Sequence, residues 1–219
     1  MKLTKKKVFV AALAVCLVAI LSMGTLAWFN DADEVTNKFL IADSDGDGTP
    51  DFKVDVYETD PETGDKVQDG NIYEDIAPGD NLKKDPQVFN AGDYDQWIRV
   101  YVTFDEWSVI EAACKNQGIT TDLRTWLLGL DDGIWAPVDG ETVIDKQANT
   151  ITYVYYYNAK LLPGETVKLF KEVAIPGEFE QDDMKFASND FSINVKAEAL
   201  QADNTGDNAQ KAFAQYWGK

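Results

Sequence analysis

The chain has 219 residues and carries 38 acidic against 20 basic side chains, a formal net charge of −18. Such a surface repels phosphate backbones, which argues against nucleic acid as a partner, and it attracts divalent cations. Acidity alone accompanies disorder, but 45% hydrophobic content with 6 Trp and 9 Tyr argues for a packed fold of single-domain size.

The order opens with Lys2, Lys5, Lys6 and Lys7, followed by an apolar run from Val8 to Leu21. That run is short for a membrane span, which needs about 20 residues. Thr25 and Ala27 supply small side chains at −3 and −1, so residues 1–27 read as a signal peptide cut between Ala27 and Trp28. The competing reading is a retained N-terminal anchor, the one way this chain would touch a membrane. Removing the leader takes away four lysines and no acid, and makes the remainder more acidic still. It also removes Cys16, which Val15 precedes where lipidation wants a small residue. Cys114 is then alone, no intrachain disulfide is possible, and stability has to come from the core, from metal or from assembly.

Residues 28–41 read as an acidic N-terminal arm with Trp28 and Phe29 at its tip, running through Val35 and Phe39 into a first strand. Next comes Asp43-Ser44-Asp45-Gly46-Asp47-Gly48-Thr49-Pro50-Asp51. Carboxylates at alternate positions, with glycines that permit a tight wrap, converge oxygens on one point, and Ca²⁺ takes six to eight such ligands. Asp43, Asp45, Asp47, Thr49 and Asp51 are the predicted ligands. The loop opens like an EF-hand, but Val54 stands where the bidentate Glu belongs and neither flank reads as a helix. It resembles instead the short DxDxDG loops of dockerin or thrombospondin type 3 repeats. A solvated acidic turn is the competing reading.

From Phe52 onward the pattern is alternation. Phe52, Val54 and Val56 alternate with Lys53, Asp55 and Tyr57. Ile98, Val100, Val102 and Phe104 oppose Trp97, Arg99, Tyr101 and Thr103. Ile151 to Tyr157 carries aromatics at its odd positions from Tyr153, and Phe191, Ile193, Val195, Ala197 and Ala199 form a further apolar face. One apolar and one polar face per strand is the mark of antiparallel sheets packed face to face. The predicted fold is therefore all-β, an antiparallel jelly-roll-like β-sandwich over residues 42–219. Pro78-Gly79-Asp80 and Ala91-Gly92-Asp93 have the same spacing as Pro163-Gly164-Glu165 and Pro176-Gly177-Glu178. Each pair brackets a strand-like segment (82–89 and 167–175), read as equivalent edge strands. Glu106 to Gln117 reads as a short inserted helix capped by Asp105 and stopped by Gly118, with Trp107, Ile110 and Cys114 on its core face. Asp122 to Leu130 reads as a second short helix, and Asp207 to Trp217 as a helical tail whose Phe213, Tyr216 and Trp217 cover the sandwich.

The chain contains no histidine, so Ser-His, Cys-His and HExxH arrangements are all absent. Carboxylates are numerous enough for a glycosidase pair by composition, but nothing singles out one pair. The reading is not an enzyme. Trp97, Trp107, Trp126 and Trp135 leave room for a carbohydrate-binding module if they form a shallow exposed row.

The junction Thr25-Leu26-Ala27-Trp28-Phe29-Asn30-Asp31, the segment from Pro78-Gly79-Asp80 to Phe89-Asn90, and the stretch 191–202 resemble the TasA/CalY (camelysin) family of Gram-positive secreted matrix proteins. The resemblance touches both ends and one middle segment. It implies maturation by a SipW-type signal peptidase, a jelly-roll sandwich, and subunits linked by donated N-terminal strands. On that footing the chain is expected to be a secreted structural subunit of a biofilm matrix fibre, at the surface or in the matrix of a Gram-positive cell. Its expected partners are its own copies, other matrix proteins or polysaccharide. The alternative is a calcium-stabilised carbohydrate- or ligand-binding module. Camelysin relatives are described as metallopeptidases, but the usual zinc ligands are missing.

Overall fold

A computed structural model describes residues 30–33, 52–138, 140–188 and 191–217. In chain order the elements are β1 (Asn30–Asp33), β2 (Val54–Thr59), β3 (Lys66–Val67), β4 (Asn81–Leu82), β5 (Gln87–Asn90) and β6 (Gln96–Phe104). Helix α1 (Trp107–Gln117) follows, then a 3₁₀ turn (Leu123–Trp126), β7 (Leu127–Leu128), β8 (Trp135–Pro137), β9 (Val143–Asp145) and β10 (Thr150–Tyr157). The chain continues through β11 (Thr166–Lys168), β12 (Glu172–Ala174), a second 3₁₀ stretch (Asp183–Ser188), β13 (Ile193–Gln201) and helix α2 (Ala209–Trp217).

The fold is all-β, built from three antiparallel sheets. The main sheet runs β1-β13-β6-β10-β8, with β9 also paired to β10; the others run β11-β5-β2-β3 and β4-β12-β7. Strand β6 sits at its centre because its alternation is the cleanest in the chain. Ile98, Val100, Val102 and Phe104 are completely buried on one side. Each such side chain contributes about 1.5–3 kcal/mol on leaving water. They share one core with Val54 and Val88 of the second sheet and Phe52 just before it, together with Tyr153 and Tyr155 of β10 and Ala197 and Ala199 of β13. The other side of the main sheet carries a smaller core under α2, where Phe213, Ala212 and Ala209 cover Trp97, Tyr156, Leu200 and Ala202. The expected tail helix is present and lies on the sheet; the side chain of Trp217 is outside the described set.

The two bracketed segments turn out to be each other's partners rather than separate edges. Thr166, Val167 and Lys168 pair with Phe89, Val88 and Gln87, and Val173 and Ala174 pair with Leu82 and Asn81. Their terminal turns interlock: Asn90 N–H donates to the Glu165 carbonyl, and Gly79 N–H to the Ile175 carbonyl. Gly79 has a φ of 88°, a left-handed value that favours glycine. Two of the four strands involved are interior, since β5 lies between β11 and β2, and β12 between β4 and β7.

Helix α1 buries Trp107, Ile110 and Cys114 as the periodicity predicts, and Gly118 ends it in a left-handed turn. Its start differs from expectation. Asp105 does not cap it; the Asp105 carboxylate accepts from Ser192 N–H at 2.7 Å and so ties β6 to β13. The second predicted helix is only one 3₁₀ turn, after which Leu127 and Leu128 join β12. Asp122 fits a short turn better than a helix, because its side chain accepts from Arg124 N–H two residues on.

Candidate assembly site

The site is the edge of the main sheet at β13. One edge of β13 is fully used by β6, in register from Ile193 opposite Phe104 to Gln201 opposite Gln96. Its other edge takes β1, with Asn30 opposite Leu200, Asp31 opposite Ala199, Ala32 opposite Glu198 and Asp33 opposite Ala197. Alternation sorts these partners. Ala197 and Ala199 are completely buried on the core side, while Leu200 lies on the α2 side.

Sequence reasoning placed an arm at residues 28–41, and the described part of it, Asn30–Asp33, is this edge strand. Of the four arm residues named in advance, Trp28, Phe29, Val35 and Phe39 all lie outside the described residues, as do the cleavage pair Ala27 and Trp28. The predicted calcium ligands Asp43, Asp45, Asp47, Thr49 and Asp51 lie outside them too. Among the described residues no three His, Cys, Asp or Glu side chains come together as a metal site.

The α2 side of the slot is polar further along. Arg99 Nη2 donates to Glu198 Oε2 at 2.6 Å, and Tyr101 Oη donates to the same oxygen at 3.0 Å. The guanidinium carbon of Arg99 stands 4.5 Å from the centre of the Phe213 ring, so the ion pair and the helix brace one another. Burial works against the Arg99 charge, but the hydrogen bond and charge of Glu198 outweigh it and raise its pKa. Burial and the Glu198 carboxylate together push the Tyr101 hydroxyl up, so it stays a donor at any physiological pH.

Among the described residues one groove lies away from this edge. It has a volume of about 450 Å³ and lies between Tyr73, Glu74, Asp75 and Ile76 on one wall and Gln181 and Met184 on the other. It brings no nucleophile beside a base. Trp97, Trp107, Trp126 and Trp135 are all buried, at 7% exposure or less, so the shallow aromatic row a carbohydrate module would need is not formed by them. Trp135 donates from its ring nitrogen to the Lys168 carbonyl at 2.8 Å, a core role. Among the described residues no helix is long and apolar enough to cross a membrane. Compared with protein-family models, with curated proteins and with solved structures, the chain matches none.

Proposed function

We propose that this protein is a secreted structural subunit that polymerises by donating residues 28–38 of one copy to the β13 edge of the next. The observation that carries the reading is the β1–β13 ladder, because it involves the residues that directly follow the expected cut. A strand that pairs with its own edge can pair with the same edge of another copy by the same main-chain bonds. Donation from copy to copy is head-to-tail and does not close, so it propagates as a fibre.

Under this reading a SipW-type signal peptidase releases the arm, and the fibre belongs to the matrix or surface of a Gram-positive cell, where other matrix proteins or polysaccharide are further partners. The role is structural, not enzymatic. Asp31, Asp33 and Glu34 add carboxylates to an already acidic subunit, so assembly should need the cut and be helped by Ca²⁺ or salt. Electron microscopy and sedimentation of the chain beginning at Trp28 should show filaments. A chain beginning at Lys38 should remain monomeric, and Asp31→Pro, which removes the N–H that faces Ala199 in the ladder, should assemble poorly. Filaments formed equally well without the arm would rule out donation. Ca²⁺ bound by Asp43, Asp45, Asp47, Thr49 and Asp51 should raise the melting temperature over that in chelator, and Asp47→Ala should abolish the difference.

A further inference from the structure

We propose that the side chains of Lys84 and Asn71 join in an isopeptide bond, with Glu58 as the group that moves the protons. The proposal stands apart from the donor-strand reading and holds whether or not copies assemble.

One carboxylate holds both reactants. Lys84 Nζ donates to Glu58 Oε1, and Asn71 Nδ2 donates to Glu58 Oε2 at 3.2 Å. The same Asn71 nitrogen donates to the Thr59 carbonyl at 3.1 Å. Glu58 and Thr59 end β2, where they pair with Val67 and Lys66 of β3. Thr59 N–H donates to Asp85 Oδ1 at 2.7 Å, which pins the residue after Lys84, and Lys84 N–H donates to the Leu82 carbonyl at 2.8 Å. Amine and carboxamide thus hang on two consecutive strand residues, so folding, not chance collision, brings them together.

Burial supplies the reactivity. The Lys84 and Glu58 side chains are almost wholly out of water. A proton passed from the Lys84 ammonium to Glu58 leaves an amine and a carboxylic acid, both uncharged, where charges are costly. The amine lone pair then adds to Asn71 Cγ, and the carbonyl electrons move to Oδ1. Their return expels Nδ2 as ammonia once Glu58 has handed that nitrogen a proton, and Glu58 takes up the proton that the new amide nitrogen sheds. Oε1 already faces the attacking nitrogen and Oε2 the departing one. One N–C bond forms and one breaks, ammonium leaves, nothing is oxidised or reduced, and Glu58 ends as the carboxylate it began as.

The bond ties together the two ends of a segment that has little regular structure of its own. Residues 68–80 form neither strand nor helix, and Ile72 among them is 90% exposed. Closing residues 71–84 into a covalent ring restricts the unfolded chain as a disulfide does, in a protein whose Cys114 is free and buried. Molecules that still hold the ammonia keep an ordinary buried ion pair at the same place.

The test is the intact mass of the full chain, with or without its leader, purified folded and incubated at neutral pH. The expected result is a mass lower by one ammonia, a loss that does not develop in chain kept unfolded in urea. A protease digest should then contain a peptide holding Asn71 joined to one holding Lys84. Glu58→Gln, which cannot relay the protons, and Lys84→Arg, which has no amine to add, should both retain the full mass. Loss of ammonia that persists in Lys84→Arg is a cyclic imide formed at an asparagine and overturns the proposal. So does a parent at full mass whose Lys84 is acylated, after unfolding, as completely as the other lysines. The parent alone gives the decisive reading, so a variant that fails to fold leaves the outcome intact.

Discussion

Asn149 caps α1 from across the molecule: its carbonyl accepts from Trp107 N–H at 3.0 Å and its Oδ1 accepts from Ser108 N–H at 2.8 Å. It holds a left-handed φ of 58° at the end of the β9–β10 turn, a conformation that asparagine tolerates better than most residues. One residue thus closes a hairpin and starts a helix 41 positions away in sequence.

Replacing its side chain removes the bond to Ser108 and leaves the main-chain bond to Trp107 in place. Asn149→Ala should destabilise the protein by about 1–2 kcal/mol, combining a lost cap with an alanine forced into the left-handed region. Asn149→Gly keeps the turn and should cost less. Urea denaturation of the three proteins measures the difference, and equal midpoints would remove the capping role.

Lys84 and Glu58 form a buried ion pair, with side chains 11% and 8% exposed, and Asn71 donates to the second Glu58 oxygen at 3.2 Å. Removing one partner strands a charge, so Lys84→Ala should cost about 3–5 kcal/mol. The double variant Lys84→Met with Glu58→Leu should recover most of that loss. A double variant as unstable as the single one would mean that packing, not charge, was disrupted.

Asp183 joins the second 3₁₀ stretch to α1. Its carboxylate accepts from Glu180 N–H at 2.9 Å and from the Asn116 and Gln117 amides at 3.1 and 2.6 Å. The backbone donor of Glu180 chiefly, then the Asn116 amide, hold its pKa below the ordinary 3.8. A folded-state pKa below the unfolded one adds stability above the unfolded value, and that stability disappears as pH falls through the folded value. Thermal melts from about pH 6 to about pH 2 should therefore show a smaller loss in Asp183→Asn than in the parent, from a lower starting point at neutral pH. Parallel curves would exclude Asp183 as a contributor.

Cys114 is completely buried on the inner face of α1, and burial pushes its thiol up to about 11, with the Asp183 carboxylate acting in the same direction. Thiolate is the reactive form, so a disulfide-exchange reagent at about pH 8 should leave the native protein unmodified and react fully after unfolding. Stoichiometric labelling of the native state would show that α1 opens readily.

The strands that were legible in the sequence are those with one clean face: β6, β10, β13 and β2 all follow from period-2 alternation, and α1 from the spacing of Trp107, Ile110 and Cys114. What alternation does not contain is partner choice. The Leu82–Asn90 stretch carries Lys84, Asp85 and Pro86 in its middle, which break it into β4 and β5, and its pairing with Thr166–Ala174 is a contact between residues far apart in the chain. The matched spacing of the Pro-Gly turns was the one clue to it, and it pointed to equivalence where the relation is complementarity. Asp105 and Asn149 failed for a related reason: a cap is sought next to its helix, and this one arrives from a distant turn. The four tryptophans left room for an exposed row in the sequence, but α2 covers Trp97 and the core takes Trp107, Trp126 and Trp135. For the assembly edge, the sequence placed an arm at its beginning and a strand at its end, and gave no register between them.

The position of β13 has a consequence for when the molecule comes into being. It lies between β1 and β6 in the main sheet, yet it follows every other described strand in sequence. During synthesis from the N-terminus, β1, β6 and β10 are all made while the strand that joins the first two is still missing. Pairings over such long separations are slow to form and cannot be rehearsed by a partial chain. A version truncated after Ser192 should lack a cooperative thermal transition, whereas one truncated after Gly206 should retain one. The nascent polypeptide thus stays threadable until β13 has been made, and commits to its shape only then.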